Sequence, residues 1–181
     1  SGTSAITATL LAYLRPNDVV LICLKVHGAT ETLIEKQLPN FGIRAVGFSD
    51  GCDPAAVESA AVEASRLARE RGGRVGLVVL ETPANPTNSL VDLRLVREVA
   101  ERIGGEQPGG RPLIAVDNTF LGPVFQKPLE HGSDLVMYSL TKYVGGHSDL
   151  VAGGVAGSRA ARKPGRALRS ASGTQLDPNT A

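Results

Sequence analysis

Several features are scarce in this chain, and each scarcity argues against a class of protein. Only two of its 181 residues are cysteine, Cys23 and Cys52, too few and too far apart for a disulfide framework. Lysine and arginine number 19 against 18 acidic residues, so the charge gives no electrostatic basis for binding nucleic acid or an anionic membrane. No apolar run approaches the length of a membrane span. We therefore expect a cytoplasmic protein with neither nucleic acid nor membrane as a partner.

Two kinds of motif are also missing. No Gly-x-Gly-x-x-Gly follows a predicted strand and opens a helix, which argues against a dinucleotide-binding Rossmann fold. No group of histidine, cysteine and aspartate has the spacing of metal ligands, so we predict no metal site. The basic tract from Arg159 to Arg169 is interpreted as a solvated, mobile segment or a subunit contact rather than a nucleic-acid site.

The order of apolar and polar segments predicts alternating helices and strands. Helical spacing occurs near residues 4–14, 31–38 and 93–103, and a long helix begins at Asp53-Pro54 and ends at Gly72-Gly73. Apolar runs predict strands near 19–24, 43–48, 75–80, 113–116, 134–138 and 151–156, with a loop at 104–110. Such alternation predicts one α/β domain with a mainly parallel sheet and helices on both faces.

One lysine follows the apolar run at 134–138, within the stretch Ser-Leu-Thr-Lys-Tyr-Val-Gly-Gly-His-Ser-Asp at 139–149. At the end of a buried strand, desolvation would favour the uncharged amine of Lys142, which makes it a candidate Schiff-base nucleophile. Ser139 and Thr141 are two residues apart, so in an extended chain they point the same way and could bind one anion. A phosphate beside a Schiff-base lysine suggests pyridoxal phosphate (PLP).

A second apolar run, at 113–116, ends in Asp117. In doubly wound α/β folds, ligands bind at the carboxyl ends of such strands. A carboxylate there can keep the pyridine nitrogen of PLP protonated, which makes the ring an electron sink. An aspartate at this place can equally be a helix cap or a turn former. The spacing from Asp117 to Lys142 nevertheless allows one connection and one further strand, so both groups can reach the same crevice.

The first residues of the chain suggest where an anion would bind. Ser1-Gly2-Thr3-Ser4 precedes apolar residues at helical spacing, and therefore opens a helix whose free N–H groups attract an anion. Serine and threonine at a helix start are commonly just caps, so this segment alone does not establish a phosphate site.

These motifs resemble the Cys/Met-metabolism, or transsulfuration, group of fold-type I PLP enzymes. That group includes cystathionine γ-synthase, cystathionine γ-lyase, methionine γ-lyase and the O-acylhomoserine sulfhydrylases. The resemblance is carried by residues 81–87 (Glu-Thr-Pro-Ala-Asn-Pro-Thr), 116–120 (Val-Asp-Asn-Thr-Phe) and 134–148, and runs over nearly the whole chain. It implies a PLP cofactor, an amino-acid substrate, and a homo-oligomer, dimer or tetramer, whose active site is shared between subunits.

The resemblance also implies roles for individual residues. Lys142 corresponds to the lysine that forms the internal aldimine, and Asp117 to the partner of the pyridine nitrogen. The phosphate-binding hydroxyls correspond to Ser139 and Thr141, and the backbone amides that complete the phosphate site correspond to Gly2 and Thr3.

Two further positions are assigned by the same resemblance. Asn85 would lie near the phenolic oxygen of the cofactor, although Asn-Pro also commonly begins a turn. His27 stands where family members usually carry a tyrosine that stacks on the cofactor and relays protons. An imidazole can also stack, but it is a stronger acid than a phenol, so its acid–base role would differ. His27 is therefore a candidate catalytic and cofactor-binding residue, or else a bystander in a loop.

The function implied is β- or γ-elimination or replacement on sulfur-containing or O-activated amino acids, through an aldimine at Lys142. Two alternatives stay open. One is a catalytically silent PLP-fold domain that serves as a subunit or scaffold, which the change at His27 permits. The other is aminotransfer on the same fold. Residues 1–181 are expected to form the PLP-binding large domain, without the N-terminal segment and C-terminal domain of the family.

Overall fold

A six-stranded sheet forms the centre of the computed structural model, which describes residues 1–178. The strands are β1 (Val19–Cys23), β2 (Arg44–Phe48), β3 (Val75–Glu81), β4 (Leu113–Asp117), β5 (Leu135–Ser139) and β6 (Gly153–Gly157). Their order across the sheet is β2-β1-β3-β4-β5-β6. The first five are parallel, and β6 pairs with β5 in the antiparallel direction.

Within residues 1–178, six α-helices connect or flank these strands. They are α1 (Gly2–Tyr13), α2 (Gly28–Thr32), α3 (Pro54–Glu70), α4 (Leu93–Glu106), α5 (Gly122–Phe125) and α6 (Arg159–Ser172). A π-helical turn at Leu33–Gln37 and 3₁₀ turns at Leu38–Phe41 and Pro128–His131 are shorter. The two long central helices begin as their sequences predict, because the carboxylates of Asp53 and Asp92 accept hydrogen bonds from N–H groups of the first turn.

The core lies on both faces of the sheet. Strands β1 and β3 are buried along their whole length, as continuous apolar runs predict. One face packs against α3 and α4 through Val57, Ala61, Val96 and Ile103, and the other packs against α1 through Leu10 and neighbouring residues. The predicted α/β fold, a mainly parallel sheet covered by helices on both faces, is confirmed.

Two predicted irregular segments are helical instead. Helix α4 continues to Glu106 and so includes Gly104 and Gly105, which the sequence assigned to a loop. A β-carbon on Gly104 would lie 2.6 Å from the Arg111 backbone, so this glycine permits close packing inside the helix rather than ending it.

The basic tract forms α6, which begins at the cap residue Ser158. The sequence analysis did not predict this helix, because most of its side chains are exposed and none is fully buried. The hydroxyl of Tyr13 in α1 donates a hydrogen bond to the Ala161 carbonyl, which attaches α6 to the rest of the fold. Within residues 1–178, no helix is long and apolar enough to span a membrane.

Candidate active site

The candidate residues lie at one edge of the sheet, where parallel strands end together. His27 and Asn85 follow β1 and β3, Asp117 is the last residue of β4, and Ser139 is the last residue of β5. Because parallel neighbours have their carboxyl ends at the same edge, segments distant in sequence meet here. In the β3–β4 register Glu81 lies directly opposite Asp117, and in the β4–β5 register Asp117 lies opposite Met137.

Asp117 is a half-buried carboxylate with few hydrogen-bond partners. Its Oδ1 accepts a hydrogen bond of 2.9 Å from the Thr119 backbone N–H. Burial raises the pKa of Asp117 above its ordinary value, and the hydrogen bonds from Thr119 and the charge of His27 offset only part of this effect. A cationic group placed against this carboxylate would therefore be bound strongly, since it would replace the lost solvation.

Glu81 is a buried carboxylate to which the sequence reading gave no role. Its Oε2 accepts a hydrogen bond of 2.6 Å from the His27 N–H, and its Oε1 accepts one of 2.9 Å from the Asn85 N–H. Burial raises its pKa, and the neighbouring Asp117 adds to the rise, while the two N–H bonds lower it. In the sequence, the only sign of a functional role for Glu81 is that it follows an apolar run, as Asp117 does. Its backbone partners lie in two separate loops and have no sequence signature.

Asn118 is a second residue that sequence reasoning missed. It is fully buried, and its Nδ2 lies 3.0 Å from the Gly122 carbonyl, 2.9 Å from the Gln126 carbonyl and 3.1 Å from the Tyr138 hydroxyl. The side-chain amide of Gln126 donates in return to Asn118 Oδ1 at 2.9 Å. This network fixes the loop that follows Asp117, and therefore the direction in which β4 ends.

The first turn of α1 lies against the end of β5. A β-carbon on Gly2 would stand 2.6 Å from the β-carbon and 2.9 Å from the Oγ of Ser139. Ser1 caps the helix by accepting a 3.1 Å bond from the Ser4 N–H, which leaves the N–H groups of Gly2 and Thr3 without an intrahelical acceptor. Within residues 1–178 the Ser139 hydroxyl has no hydrogen-bond partner. Donors of this kind, at a helix N-terminus beside a hydroxyl, are the type of group that can bind an anion.

Lys142 lies on a turn and not at the end of the buried strand. Strand β5 ends at Ser139, and the chain turns at once, with a 3.1 Å hydrogen bond from the Lys142 N–H to the Ser139 carbonyl. The Lys142 side chain is exposed, so the expectation that burial desolvates its amine is wrong. Lys142 therefore lies three residues after Ser139, the last residue of β5, on the connection between β5 and β6.

The same turn changes the expected pairing of two hydroxyls. Ser139 ends the strand and residues 140 and 141 form a turn, so Ser139 and Thr141 do not share one side of a strand. The Thr141 hydroxyl instead donates to the Ala152 carbonyl at 3.2 Å and accepts from the Ala152 N–H at 3.0 Å. Thr141 therefore fixes the turn against the segment that precedes β6.

His27 and Asn85 are both exposed at the mouth of this edge. His27 is the cap residue of α2, and its Nδ1 accepts a 3.3 Å hydrogen bond from the Ala29 N–H. That bond leaves Nε2 of the ring for other contacts. In the described residues, no group of three or more histidine, cysteine, aspartate or glutamate side chains is arranged to hold a metal ion.

Comparisons with known proteins agree with one another. The family model described as Cys/Met metabolism PLP-dependent enzyme matches residues 1–181. L-methionine gamma-lyase from Pseudomonas putida is 36% identical over 183 residues, which cover the whole chain and 42% of that enzyme. Cystathionine gamma-lyase from Bacillus subtilis is 36% identical over 84% of this chain and 35% of the enzyme.

A solved structure is similar in fold and in sequence. Cystathionine gamma synthase from Xanthomonas oryzae pv. oryzae, crystallised with aminoacrylate and cysteine, superimposes with a TM-score of 0.85 at 32% identity. The match covers 99% of this chain and 42% of that one. The chain thus spans about two fifths of the length of the Pseudomonas putida and Xanthomonas oryzae enzymes.

Proposed function

Because the chain belongs to the family of PLP-dependent enzymes of cysteine and methionine metabolism, we propose that residues 1–181 are the cofactor-binding large domain of such an enzyme. The reaction proposed is β- or γ-elimination or replacement on sulfur-containing or O-activated amino acids. The observation that carries the proposal is the meeting of Gly2, Ser139 and Asp117 at one edge of the sheet. In this proposal, that edge holds an anion-binding site next to the half-buried carboxylate of Asp117.

The anion site fits the phosphate of the cofactor. The N–H groups of Gly2 and Thr3 and the hydroxyl of Ser139 are donors without partners of their own. Thr141 joins them in this proposal when its hydroxyl proton turns from the Ala152 carbonyl to the phosphate. A phosphate held here would place the pyridine ring toward the ends of β3 and β4.

The ring end of the site is assigned to three residues. Asp117 would hold the protonated pyridine nitrogen, and this cation would offset the burial that raises the pKa of Asp117. His27 would cover one face of the ring, and Asn85 would lie at its phenolic oxygen. When bound, the cofactor supplies an electron sink that stabilises a carbanion at the substrate Cα.

Lys142 is assigned the covalent attachment and the proton transfer. Its exposed amine, on the turn after Ser139, would hold the cofactor covalently and would be released when the amine of a substrate takes its place. The released amine would then act as the base that accepts the proton from Cα. A γ-reaction requires removal of a second proton at Cβ, whereas a β-reaction does not.

The working enzyme is proposed to be a cytoplasmic homo-oligomer, a dimer or tetramer, with an active site shared between subunits. Large apolar side chains beside the candidate site support this assembly, because Val124, Phe125 and Tyr143 are 78%, 80% and 68% exposed. Burial of such side chains is a common source of the free energy of association. The cytoplasmic location is proposed from the kinship with metabolic enzymes.

Cofactor titration of the purified chain tests this function. Wild-type protein should take up one PLP per site with a visible absorption band, and borohydride reduction should fix the label on the peptide that contains Lys142. Lys142→Ala should lose the covalent label, whereas Lys127→Ala, which alters an exposed lysine elsewhere, should keep it. Labelling that survives Lys142→Ala would remove Lys142 from the proposal.

Incubation with methionine, cystathionine or an O-acylhomoserine separates the alternatives. Release of ammonia and a 2-oxo acid supports elimination, and release of the γ-substituent with incorporation of an added thiol supports replacement. Transfer of the amino group onto the cofactor supports an aminotransferase. Cofactor uptake without any change in the amino acid supports a catalytically silent domain.

A further inference from the structure

Glu81 connects two loops of the candidate site through its two carboxylate oxygens. It is only 6% exposed, at the last position of β3. One oxygen accepts the His27 N–H from the loop after β1, and the other accepts the Asn85 N–H from the loop after β3. Each oxygen thus holds one loop, and the two loops carry the side chains assigned to the face and the phenolic oxygen of the cofactor.

The negative charge of Glu81 is electrostatically unfavourable at this position, because a second carboxylate lies beside it. Glu81 is directly opposite the half-buried Asp117 in the sheet register, so two carboxylates face the same poorly solvated edge. Burying two neighbouring acids costs free energy in the protein without ligand. Such a cost is typical of functional sites, where a bound cation or ligand offsets it.

We propose that Glu81 is a positioning residue of the cofactor site, which holds His27 and Asn85 where the cofactor meets them before it binds. The inference rests on the proposed function for what His27 and Asn85 contact. His27 depends on this bond in particular, because its other hydrogen bonds only join it to the start of α2. Its ring accepts from the Ala29 N–H, and its carbonyl accepts from the N–H groups of Thr30 and Glu31. Within residues 1–178, no other hydrogen bond joins the His27 backbone to a strand of the sheet.

A glutamine at this position would have nearly the same shape as glutamate but one hydrogen-bond acceptor oxygen fewer. The carboxylate offers two acceptor oxygens to two N–H groups, whereas the amide offers one oxygen and an NH₂ group that repels the other donor. Glu81→Gln should therefore release at least one of the two loops. Because glutamate and glutamine have nearly the same volume, any effect of the substitution reports the loss of hydrogen bonds to the loops.

Asp18 provides a matched control at the opposite edge of the sheet. It is also buried, at 4% exposure, and it also joins two backbone segments with one oxygen each. Its oxygens accept the Arg15 N–H at 2.8 Å and the Arg74 N–H at 3.2 Å. Asp18 immediately precedes β1, so it lies at the amino ends of the strands, away from the candidate site. Asp18→Asn should destabilise the fold without touching the cofactor site.

The experiment compares wild type, Glu81→Gln and Asp18→Asn as purified chains, first without cofactor. Hydrogen exchange measured by mass spectrometry should be at least about tenfold faster at the His27 or Asn85 amides in Glu81→Gln, and unchanged there in Asp18→Asn. Titration with PLP should then give about tenfold weaker binding for Glu81→Gln, and binding within about twofold of wild type for Asp18→Asn. A purely structural role would instead lower the melting temperature of both variants and leave both affinities alike.

The outcomes are distinguishable. Wild-type protein that fails to bind PLP overturns the proposed function itself. Wild type that binds, together with Glu81→Gln that exchanges at the wild-type rate or binds equally well, overturns the positioning role alone. If Glu81→Gln does not fold, the same bond is tested from the donor side. His27→Pro removes the N–H at a backbone φ of −56° that suits proline, and His27→Ala keeps it. Binding about tenfold weaker in the proline variant supports the role, and equal binding in both overturns it.

Discussion

Gly2 approaches Ser139 so closely that a β-carbon at Gly2 would lie 2.6 Å from the β-carbon of the serine. The contact joins the first turn of α1 to the carboxyl end of β5. A glycine is required here by space and not by backbone conformation. As a result, the start of α1, with its free N–H groups, lies next to the hydroxyl of Ser139.

Gly2→Ala should therefore weaken cofactor binding. The added methyl group would force α1 away from β5, with a cost of about 1 to 3 kcal/mol that corresponds to roughly tenfold in PLP affinity or more. The measurement is a PLP titration of the folded variant. Gly28→Ala is the control, because a β-carbon there would meet nothing within 4 Å. An affinity of Gly2→Ala equal to that of wild type would show that the helix start is not part of the phosphate site.

Adjacent glycines in α4 should respond oppositely to alanine. Gly105 has open space around its Cα, so Gly105→Ala should stabilise the protein by about 0.5 to 1 kcal/mol through the higher helix propensity of alanine. Gly104 packs against the Arg111 backbone, so Gly104→Ala should destabilise it by about 1 to 3 kcal/mol. Urea unfolding of both variants measures the difference. Equal effects at the two positions would contradict the close packing.

The glycines of α4 also show where sequence reasoning about the fold succeeds and where it stops. The apolar runs of β1, β3 and β4 predicted buried parallel strands, because only a sheet covered on both faces buries such runs completely. Gly104 was predicted to lie in a loop, because the sequence does not show that it packs against Arg111, seven residues away. Helix α6 was not predicted because most of its side chains are exposed and several are basic.

The Arg111–Asp134 ion pair should stabilise the start of β5. Nη1 and Nη2 of Arg111 each lie 2.7 Å from one oxygen of Asp134, which also accepts a 2.8 Å bond from the Ile114 N–H. Asp134→Asn should cost about 2 to 3 kcal/mol at neutral pH, less than for a fully buried pair because the side chains are 14% and 21% exposed. Chemical denaturation of both proteins measures this loss.

The pH dependence of that loss has a definite sign. Burial alone would raise the pKa of Asp134, but the hydrogen bonds from Arg111 and Ile114 outweigh it and hold the pKa below its usual value. A depressed folded pKa gives stability that is present above the unfolded pKa of about 3.9 and is lost as the pH falls through the folded pKa. The gap between wild type and Asp134→Asn should therefore be constant above about pH 5 and shrink in acid. A gap that widened in acid would contradict the ion pair.

The candidate site was predictable to the extent that strand ends are predictable. Asp117 and Ser139 were found because each closes an apolar run, and parallel strands bring their ends together. The environment of Lys142 was not predictable, since the chain turns immediately after Ser139 and exposes the amine. Glu81 was overlooked for a related reason: its partners are backbone N–H groups of loops, and hydrogen bonds to backbone leave no residue pattern.

Asp117→Asn should increase the free energy of unfolding of the protein without cofactor, and should decrease the stabilisation that PLP gives. Burial raises the pKa of Asp117, and the Thr119 hydrogen bonds only partly oppose it. A raised folded pKa gives stability that is present below the unfolded pKa of about 3.9 and is lost as the pH rises through the folded pKa. At pH 7.5 the charged carboxylate is thus a net cost. The asparagine avoids that cost and can still accept the 2.9 Å bond from the Thr119 N–H.

Unfolding with and without PLP, at pH 7.5 and in mild acid, tests this prediction. Without cofactor, Asp117→Asn should be the more stable protein at pH 7.5, and its advantage should decrease as the pH falls. Saturating PLP should reverse the order, because the protonated ring nitrogen restores a partner to the carboxylate and not to the amide. Glu81 adds to the difference in the same direction, because the charge of Asp117 contributes to the rise in the pKa of Glu81 and the asparagine removes that contribution. If the variant were less stable than wild type at pH 7.5 even without cofactor, Asp117 would be a structural residue whose charge the fold already satisfies.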